Sequence, residues 1–312
     1  MTVAYIFPGQ GSQVAGMGRE LADHFASARE VFAEADDALG FALSQLCFEG
    51  PNEALQLTEN TQPAILTVSV AALRAMEAEG LPAPAFVAGH SLGEYSALVA
   101  SGALTLRDAV RTVRARGRYM QEAVPVGAGA MAAILGADAE TVADACREAA
   151  EGEVCSPANI NSPKQIVIAG HAPAVARAME ILKARGAKRA VKLPVSAPFH
   201  CALMQPAQDR LGADLEQLEF ADLRVPLVCN ADAVAIRDGS AARSSLVRQV
   251  TSPVRWLESI EWLAGAGVET FIEVGPGKVL AGLVRQTISD ARCLNVADAA
   301  SLEATRAALG ES

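Results

Sequence analysis

The sequence predicts an α/β protein into which a ferredoxin-like βαββαβ unit is inserted, and two observations support this fold class. Apolar strand patterns alternate with amphipathic helical patterns in residues 1–126 and again in 195–312, an alternation typical of α/β sheets. Residues 127–194 instead contain a strand, a helix, two strands, a helix and a strand, the order of a ferredoxin-like unit. We therefore expect a larger domain formed by 1–126 and 195–312, and a smaller one formed by 127–194.

Composition excludes several function classes. The chain has 312 residues and a net charge of −10, whereas a nucleic-acid binder needs a basic face. No uncharged apolar run reaches the roughly 18 residues of a membrane span. The six cysteines are scattered without a C-x-x-C pair, so we expect reduced packing residues, not disulfides or a metal site. The chain opens on a strand pattern where a secretory leader would lie, which predicts a cytoplasmic protein.

In chain order, the larger domain begins with the buried strand pattern Val3–Phe7, followed by the loop Pro8–Ser12. The next glycine after Gly11 is Gly16, so the loop does not satisfy G-x-G-x-x-G and predicts no dinucleotide site. Helices are expected at 17–39, 51–57, 62–79 and 105–122.

Between these helices lies a candidate nucleophile. The apolar run 85–88 leads into Gly89-His90-Ser91-Leu92-Gly93 and then into a helical stretch. Strand, turn and helix with G-x-S-x-G at the turn are the context of a nucleophile elbow. The glycines permit a tight turn that exposes the Ser91 hydroxyl, and the helix directs its free N–H groups towards it. The alternative is an ordinary glycine-rich turn, but the flanking elements favour a nucleophile.

The helix expected at 105–122 carries arginines on two faces. At about 100° per residue, four of them share one stripe that we interpret as solvated: Arg107, Arg111, Arg114 and Arg118. Arg116 falls on the opposite side, with residues expected to face the core: Ala109, Val113 and Met120. A buried guanidinium is costly without an anionic partner. That partner is either an internal carboxylate or the carboxylate of a ligand, and periodicity alone slightly favours the internal salt bridge.

The remaining elements complete the pattern. In the smaller domain, strands are expected at 130–135, 155–159, 165–169 and 189–194, with helices at 139–150 and 172–185. After residue 195, helices are expected at 202–217, 243–250, 253–266 and 278–288, with strands at 225–230 and 269–274.

A nucleophilic serine needs a base, most often a histidine, and the chain has four histidines. His24 lies in a surface helix pattern, and His171 ends a strand at a turn. His90 adjoins the serine in sequence, so its side chain should point away from the hydroxyl and support the turn. His200 lies in the loop 196–201, where the chain returns from the smaller domain and can face the elbow. By elimination, His200 is the candidate base.

An acid completing the triad is not evident. Glu94, Asp108 and Glu122 fall between the serine and the histidine in sequence, but each is expected to be a surface helix charge. A backbone carbonyl could orient the imidazole instead.

Five segments together match a known family: Phe7–Gln13, Gly89–Tyr95, Met120–Ala123, Pro198–His200 and Glu273–Lys278. With these motifs in order over essentially the whole chain, the sequence closely resembles the bacterial malonyl-CoA:acyl carrier protein transacylases. Related acyltransferase domains occur in polyketide and fatty acid synthases. The resemblance implies an α/β-hydrolase-like larger domain with an inserted ferredoxin-like smaller one, in agreement with the pattern.

The resemblance also implies roles for single residues. Ser91 would be the acylated nucleophile and His200 its base. Arg116 would pair with the free malonyl carboxylate, which supplies an anion for the guanidinium.

Supporting roles follow in the same way. The backbone N–H groups of Gln10 and Leu92 would form the oxyanion hole. Gln249 matches a glutamine that lies beside the histidine and helps to orient it, which reasoning from the residues alone does not suggest. Phe199, which precedes the histidine, is similar to the residue of members that select malonyl groups.

The implied activity is a ping-pong transfer of malonyl from malonyl-CoA to the phosphopantetheine thiol of acyl carrier protein, supplying extender units for fatty acid synthesis. The CoA thioester is a substrate, neither cofactor nor metal is expected, and the chain is expected to be a monomer. One alternative is a serine hydrolase or thioesterase with the same elbow, which would have little use for Arg116. Another is a non-enzymatic interaction module, against which the intact Ser91, His200 and Arg116 argue.

Acyl carrier proteins are acidic, as this chain is, so docking requires a local basic patch. Five basic residues cluster at the end of the smaller domain: Lys183, Arg185, Lys188, Arg189 and Lys192. Docking at this patch and ordinary surface charge are nearly equal interpretations.

Overall fold

The computed structural model describes residues 2–195 and 197–310, which form two sheets with helices around them. Four residues lie outside the described ranges: Met1, Ser196, Glu311 and Ser312. They include both ends of the predicted larger domain and the first residue of the loop 196–201.

The strands, in chain order, are β1 (Val3–Phe7), β2 (Phe86–Gly89), β3 (Gly129–Leu135), β4 (Cys155–Ser162), β5 (Gln165–His171), β6 (Arg189–Lys192), β7 (Leu227–Val228), β8 (Ala235–Ile236), β9 (Thr270–Val274) and β10 (Arg292–Val296). The helices are α1 (Arg19–His24), α2 (Ala26–Leu39), α3 (Leu43–Glu49), α4 (Asn52–Leu55), α5 (Thr58–Ala78), α6 (Gly93–Ser101), α7 (Leu106–Glu122), α8 (Ala139–Ala150), α9 (Ala172–Ala184), α10 (Gln205–Glu216), α11 (Gly239–Gln249), α12 (Trp256–Gly265), α13 (Val279–Thr287) and α14 (Ala299–Gly310), with a 3₁₀ turn at Ala202–Met204.

The larger sheet has the strand order β10-β9-β1-β2-β7-β8. Its strands pair in parallel except for the terminal pair β7 and β8, which is antiparallel. All five residues of β1 are buried, because helices cover both faces of such a sheet and leave no polar side to the strand. The carboxyl ends of β1, β2 and β7 therefore meet at one edge, which is where ligands bind in open α/β sheets.

The smaller sheet has the order β4-β5-β3-β6 and is antiparallel throughout. With α8 and α9 in between, its elements follow the predicted order βαββαβ. Its core packs Ala132 and Ile134 of β3 against Val142 of α8 and Val175 of α9. The four strands lie inside the predicted insertion 127–194, whose boundaries stay a prediction.

The α/β class is confirmed, but several elements differ from those expected. The helix expected at 17–39 is interrupted at Phe25, whose extended backbone caps α2. The strand expected at 225–230 is paired only over Leu227–Val228. Reasoning from the sequence omitted four elements: α3, β8, β10 and α14. Over the described ranges, no helix is both long enough and apolar enough to cross a membrane.

Candidate active site

Ser91 lies in the sharp turn between β2 and α6, with φ 51°. Both glycines of the motif are required by close approaches of the backbone. A Cβ on Gly89 would lie 2.0 Å from the carbonyl carbon of Gly93, and a Cβ on Gly93 would lie 2.1 Å from the carbonyl oxygen of Phe7. A non-glycine residue at positive φ is the strained backbone of a nucleophile elbow, so the predicted turn is present.

His200 is the histidine that reaches the serine. Its Nε2 lies 2.7 Å from Ser91 Oγ, and its Nδ1 lies 2.9 Å from the backbone carbonyl oxygen of Gln249. The imidazole is thus oriented by a carbonyl and not by a carboxylate, the arrangement that the absence of an evident acid suggested.

The other histidines lie where the sequence placed them. His24 is exposed on α1, and the His171 ring accepts the N–H of Val154 across 2.9 Å at the end of β5. His90 points away from the serine hydroxyl: its Nε2 lies 2.8 Å from Asn161 Oδ1 of β4, and its ring packs on Trp256. His90 therefore connects the elbow to the smaller sheet.

Arg116 is 1% exposed, on the inner face of α7. Its Nη2 donates to Ser91 Oγ (3.0 Å) and to Gln249 Oε1 (2.9 Å), and its Nη1 donates to Gln62 Oε1 (2.9 Å). Its Nε has no hydrogen-bond partner, and among the described residues no carboxylate forms an ion pair with the guanidinium. The internal salt bridge that periodicity favoured is therefore absent from this part of the chain, and the arginine faces the nucleophile.

The Gln249 carbonyl fixes the direction of the serine proton. A carbonyl oxygen only accepts, so His200 Nδ1 carries the hydrogen that is donated to it. Nε2 of the neutral imidazole is then an acceptor, so Ser91 Oγ donates to Nε2 and accepts from Arg116 Nη2. This is the tautomer that a general base needs.

The electrostatics keep the base neutral. Burial first, and the charge of Arg116 second, lower the pKa of His200 to about 3. The imidazole is therefore unprotonated at neutral pH and able to accept the serine proton.

The two residues whose backbone N–H groups are expected to form the oxyanion hole lie at the cavity of Ser91. Gln10 follows β1 and Leu92 begins the turn into α6, and both line the cavity that contains Ser91. Neither N–H donates to another described residue of the chain. They are therefore free to donate to an oxyanion, although that role stays a prediction.

The cavity at Ser91 has a volume of about 130 Å³. It is lined by Gln10, Gln62, His90, Ser91, Leu92, Arg116, Met120, Met131, Asn159, Leu193, Val195, Phe199 and His200. A second groove of about 240 Å³ adjoins it, sharing Gln10, His90, Asn159 and Leu193 and extending over the loop after β1 towards α13. Among the described residues, no three His, Cys, Asp or Glu side chains are placed to hold a metal ion.

The expectation for Glu94 was wrong. It was taken as a surface charge, yet its side chain is fully buried beneath the elbow. Its Oε2 accepts hydrogen bonds from Gln249 Nε2 and from the backbone N–H of Asn230, each across 2.9 Å. A charged residue next to a motif is usually exposed, but α6 is covered by the sheet on one side and by α5 and α7 on the other.

Asn230 is a site residue that reasoning from the sequence missed. It follows β7 and is fully buried. Its Oδ1 accepts the backbone N–H of Ser91 across 2.6 Å, and its Nδ2 donates to the carbonyl oxygen of Gly89 across 2.7 Å. The asparagine holds the strained turn from outside the motif, and its place at the carboxyl end of a predicted strand was the available signal.

The five basic residues of the candidate docking patch are all exposed. Lys183 pairs with Glu180 and Arg185 with Glu148. Lys188, Arg189 and Lys192 form no ion pair with another described residue. They lie on or beside β6, the edge strand that leads directly to the cavity residue Leu193.

A histidine-activated serine at the carboxyl edge of a parallel α/β sheet, with a buried guanidinium at its hydroxyl, defines a serine-dependent acyl-group enzyme. The chain belongs to the acyl transferase domain family, whose model matches residues 4–306. It is 54% identical over 285 residues to the malonyl CoA-acyl carrier protein transacylase of Escherichia coli K12, covering 91% of this chain and 92% of that protein.

Comparison with solved structures indicates the same family. An acyl carrier protein S-malonyltransferase from Vibrio cholerae superposes with a TM-score of 0.96 at 50% identity, covering 98% of this chain and all of that one. A malonyl-transacylase in complex with a type II PKS acyl-carrier protein superposes with a TM-score of 0.95 at 48% identity, covering 97% of this chain and 98% of that one.

Proposed function

We propose that this protein transfers the malonyl group of malonyl-CoA to the phosphopantetheine thiol of acyl carrier protein through a malonyl-serine, supplying extender units for fatty acid synthesis. One observation carries the proposal: the Arg116 guanidinium is buried at the nucleophile without a carboxylate partner in the described residues. A substrate with a free carboxylate would supply that partner, and a malonyl thioester has one. The names of the relatives support the same substrate and acceptor.

In the first half-reaction, His200 Nε2 takes the Ser91 proton while Oγ attacks the thioester carbonyl carbon. The carbonyl oxygen becomes an oxyanion that accepts from the N–H groups of Gln10 and Leu92. The C–S bond then breaks, and the proton on His200 passes to the sulfur, so CoA leaves as a thiol. The malonyl carboxylate accepts hydrogen bonds from Arg116 throughout, which holds the acyl group at the nucleophile.

The second half-reaction reverses these steps with another thiol. The phosphopantetheine sulfhydryl gives its proton to His200 and attacks the ester carbonyl of malonyl-Ser91. The C–O bond breaks, and Oγ recovers the proton from His200. These groups accomplish every proton transfer, so the proposed reaction requires no cofactor, and the CoA thioester is consumed as a substrate.

The two adjoining cavities suit a long thioester. The cavity of about 130 Å³ at Ser91 accommodates the acyl group, and the groove of about 240 Å³ next to it gives room for the arm that carries the sulfur. The donor and the acceptor share this arm chemistry, since CoA and the carrier protein each end in a phosphopantetheine thiol. One groove can therefore serve both half-reactions in turn, as a ping-pong mechanism requires.

We also propose that the carrier protein docks at the three basic residues on or beside β6, Lys188, Arg189 and Lys192. They are exposed and lack ion-pair partners among the described residues, and β6 leads directly to Leu193, which lines both cavities. Lys183 and Arg185 stay within the proposed patch, with their charge partly neutralised by glutamates. We propose that a monomer is sufficient, because one chain supplies every group named here.

The test is intact-protein mass spectrometry after mixing with malonyl-CoA, followed by peptide mapping. We expect one malonyl group on Ser91 that persists until holo acyl carrier protein is added and is then found on the carrier protein. A thioesterase would instead release malonate without an acceptor thiol. Release at the same rate with and without the acceptor would refute the transferase function.

A further inference from the structure

Glu94 is a buried carboxylate that the reaction steps above do not use. It is the second residue of α6, is fully buried, and does not line the cavity at Ser91. Its carboxylate accepts from Gln249 Nε2 and from the Asn230 N–H, each at 2.9 Å, and lies 3.4 Å from Ser245 Oγ. Burying a carboxylate costs free energy even when it is hydrogen-bonded, so its presence here calls for a function.

The Gln249 amide joins this carboxylate to the substrate-binding cation. Its Nε2 donates to Glu94 Oε2 at 2.9 Å, and its Oε1 accepts from Arg116 Nη2 at 2.9 Å. An amide can be turned end for end. The reverse orientation would place its NH₂ against the guanidinium and its oxygen against the carboxylate, with no hydrogen bond at either end. The same Nε2 also donates to the Ser91 carbonyl oxygen at 3.0 Å, so Glu94 and this carbonyl together dictate which end of Gln249 faces Arg116.

A second connection leads to the nucleophile. The Asn230 N–H donates to Glu94, and the Asn230 side chain accepts the Ser91 N–H at 2.6 Å. The same carboxylate oxygen thus holds one residue that positions the guanidinium and one that positions the elbow.

The interposed amide has a chemical consequence. In the described part of the chain, Glu94 and Arg116 form no ion pair. A direct carboxylate–guanidinium contact is frequently bidentate and would occupy the donors that a substrate carboxylate needs. With Gln249 between them, the carboxyl group stays close while the guanidinium keeps its Nε without a partner.

We propose that Glu94 is a positioning residue for carboxylate selection: as a hydrogen-bond acceptor it fixes the Gln249 amide, which holds Arg116 in place for the malonyl carboxylate. This inference rests on the proposed function, since it assigns a determinant of the malonyl preference. An acetyl thioester has no carboxylate and does not depend on the placement of Arg116. The readout is therefore the ratio of kcat/KM for malonyl-CoA to kcat/KM for acetyl-CoA.

Two substitutions test whether Glu94 acts as a hydrogen-bond acceptor or only fills space in the core. Glu94→Gln keeps an oxygen for Gln249 and Asn230 and an NH₂ for the Ser245 hydroxyl, so the ratio should stay close to that of wild type. Glu94→Leu keeps most of the volume and removes the acceptor. We expect malonyl transfer to fall about 10²-fold through a higher KM and a lower kcat, as for a misplacement of about 1 Å, with a fall of about tenfold or more in the ratio.

Glu273→Gln and Glu273→Leu are the matched control pair. Glu273 is also fully buried and accepts two backbone N–H groups, those of Leu280 and Ala281, but it makes no contact with Arg116 or Gln249. Its leucine variant should lower the melting temperature without changing the malonyl-to-acetyl ratio. Should Glu94→Leu not fold, Glu94→Asp draws the carboxylate back by one methylene, and we expect the ratio to fall by about tenfold.

Three results would overturn the proposal: an unchanged ratio in folded Glu94→Leu, an unchanged ratio in Glu94→Asp, or an equal loss in Glu94→Gln and Glu94→Leu. The proposed function is judged separately on the wild-type protein. If wild type forms no malonyl-serine, the function itself fails. If wild type transfers malonyl and the Glu94 variants keep its ratio, only the positioning role fails.

Discussion

Arg116 Nη2 donates a hydrogen bond to Ser91 Oγ across 3.0 Å, so the cation proposed to bind the substrate carboxylate already contacts the nucleophile in the free protein. The contact favours negative charge on Oγ and leaves the second lone pair of the oxygen available for attack. In the proposed reaction, a substrate carboxylate would accept hydrogen bonds from the same guanidinium. We therefore expect substrate choice and nucleophile positioning to be coupled through one side chain.

The first prediction concerns this coupling. Arg116→Ala should raise the activation free energy of malonyl transfer by about 1.5–3 kcal/mol, the range for a hydrogen bond to a charged group. Use of acetyl-CoA should hold or rise, because an unpaired guanidinium no longer faces a methyl group. Arg116→Lys should recover only part of the malonyl activity, since an ammonium lacks the planar fork. The measurement is kcat/KM for both thioesters.

Arg118→Ala is the control for that experiment, because Arg118 lies on the same helix but is exposed. It should leave both thioesters and the melting temperature nearly unchanged. If Arg116 only stabilised the fold, Arg116→Ala would lower kcat/KM equally for both thioesters and would lower the melting temperature. An unchanged malonyl-to-acetyl ratio in Arg116→Ala would exclude the carboxylate-binding role.

The second prediction is that Ser91→Ala abolishes transfer. Its hydroxyl lies 2.7 Å from the base, and loss of an activated serine costs on the order of 10⁶ in turnover. The variant should fold, since only one oxygen is removed from a turn held by Asn230. Turnover of malonyl-CoA should be followed together with the mass of the intact protein; a malonylated variant of normal activity would rule out Ser91 as the acyl carrier.

The sequence was informative wherever chemistry depends on local spacing. Two glycines around Ser91 predicted the elbow, and helical periodicity placed Arg116 on the buried face of α7. The backbone carbonyl that orients His200 was anticipated as a possibility, because no acid stood out between the serine and the histidine.

Contacts between distant segments could not be read in this way. Glu94 was taken as exposed, because nothing in a single sequence indicates that α6 is covered on both sides. Asn230 and Gln62 reach the site from the loop after β7 and from α5, and only the packed structure brings their amides to Ser91 and Arg116. The salt bridge favoured for Arg116 is absent among the described residues, where its side-chain partners Gln62 and Gln249 are amides remote in sequence.

The third prediction tests docking. Reversing Lys188 and Arg189 to glutamate should raise the KM for acyl carrier protein steeply and leave acylation by malonyl-CoA unchanged, because only the protein partner needs a complementary surface. The effect should diminish at high salt. The two half-reactions are to be measured separately.

A control variant changes the charge by the same amount elsewhere. Reversing Arg74 and Arg306 to glutamate, on α5 and α14, breaks three partly exposed ion pairs, those with Glu77, Glu79 and Glu303, and surface pairs of this kind contribute little to stability. It should have a much smaller effect on the carrier-protein KM. Equal effects of the two double variants, or equal effects on both half-reactions, would count against docking at β6.

The fourth prediction concerns the support of the elbow. Asn230→Ala removes the acceptor of the Ser91 N–H and the donor to Gly89, and a buried polar group left without a partner costs about 1–3 kcal/mol. We expect a lower free energy of unfolding and a lower kcat for both thioesters, because the positive φ of Ser91 is no longer held. Asn295→Ala on β10 is the comparison, since its Nδ2 is buried without a partner. Similar losses in the two variants would contradict a specific role for Asn230.

The last prediction is a pH dependence of stability that arises from Glu94. Burial is the main reason that the pKa of Glu94 is raised from 4.5 to about 7, against the opposing effects of its hydrogen bonds and of Arg116. The native state therefore binds this proton more tightly than the unfolded chain does, so the contribution of this proton to stability is present at low pH and is lost as pH rises through the native pKa.

Glu94→Gln has no proton to lose. At acidic pH wild type and variant should have similar free energies of unfolding, whereas above neutrality the variant should be more stable by up to about 3 kcal/mol, at 1.36 kcal/mol per unit of pKa. Urea unfolding of both proteins at several pH values between about 5 and 8 gives the difference between their free energies of unfolding. The titration of all other groups is common to the two proteins and cancels in this difference. A difference that stays constant over this range would show that Glu94 does not change its protonation there.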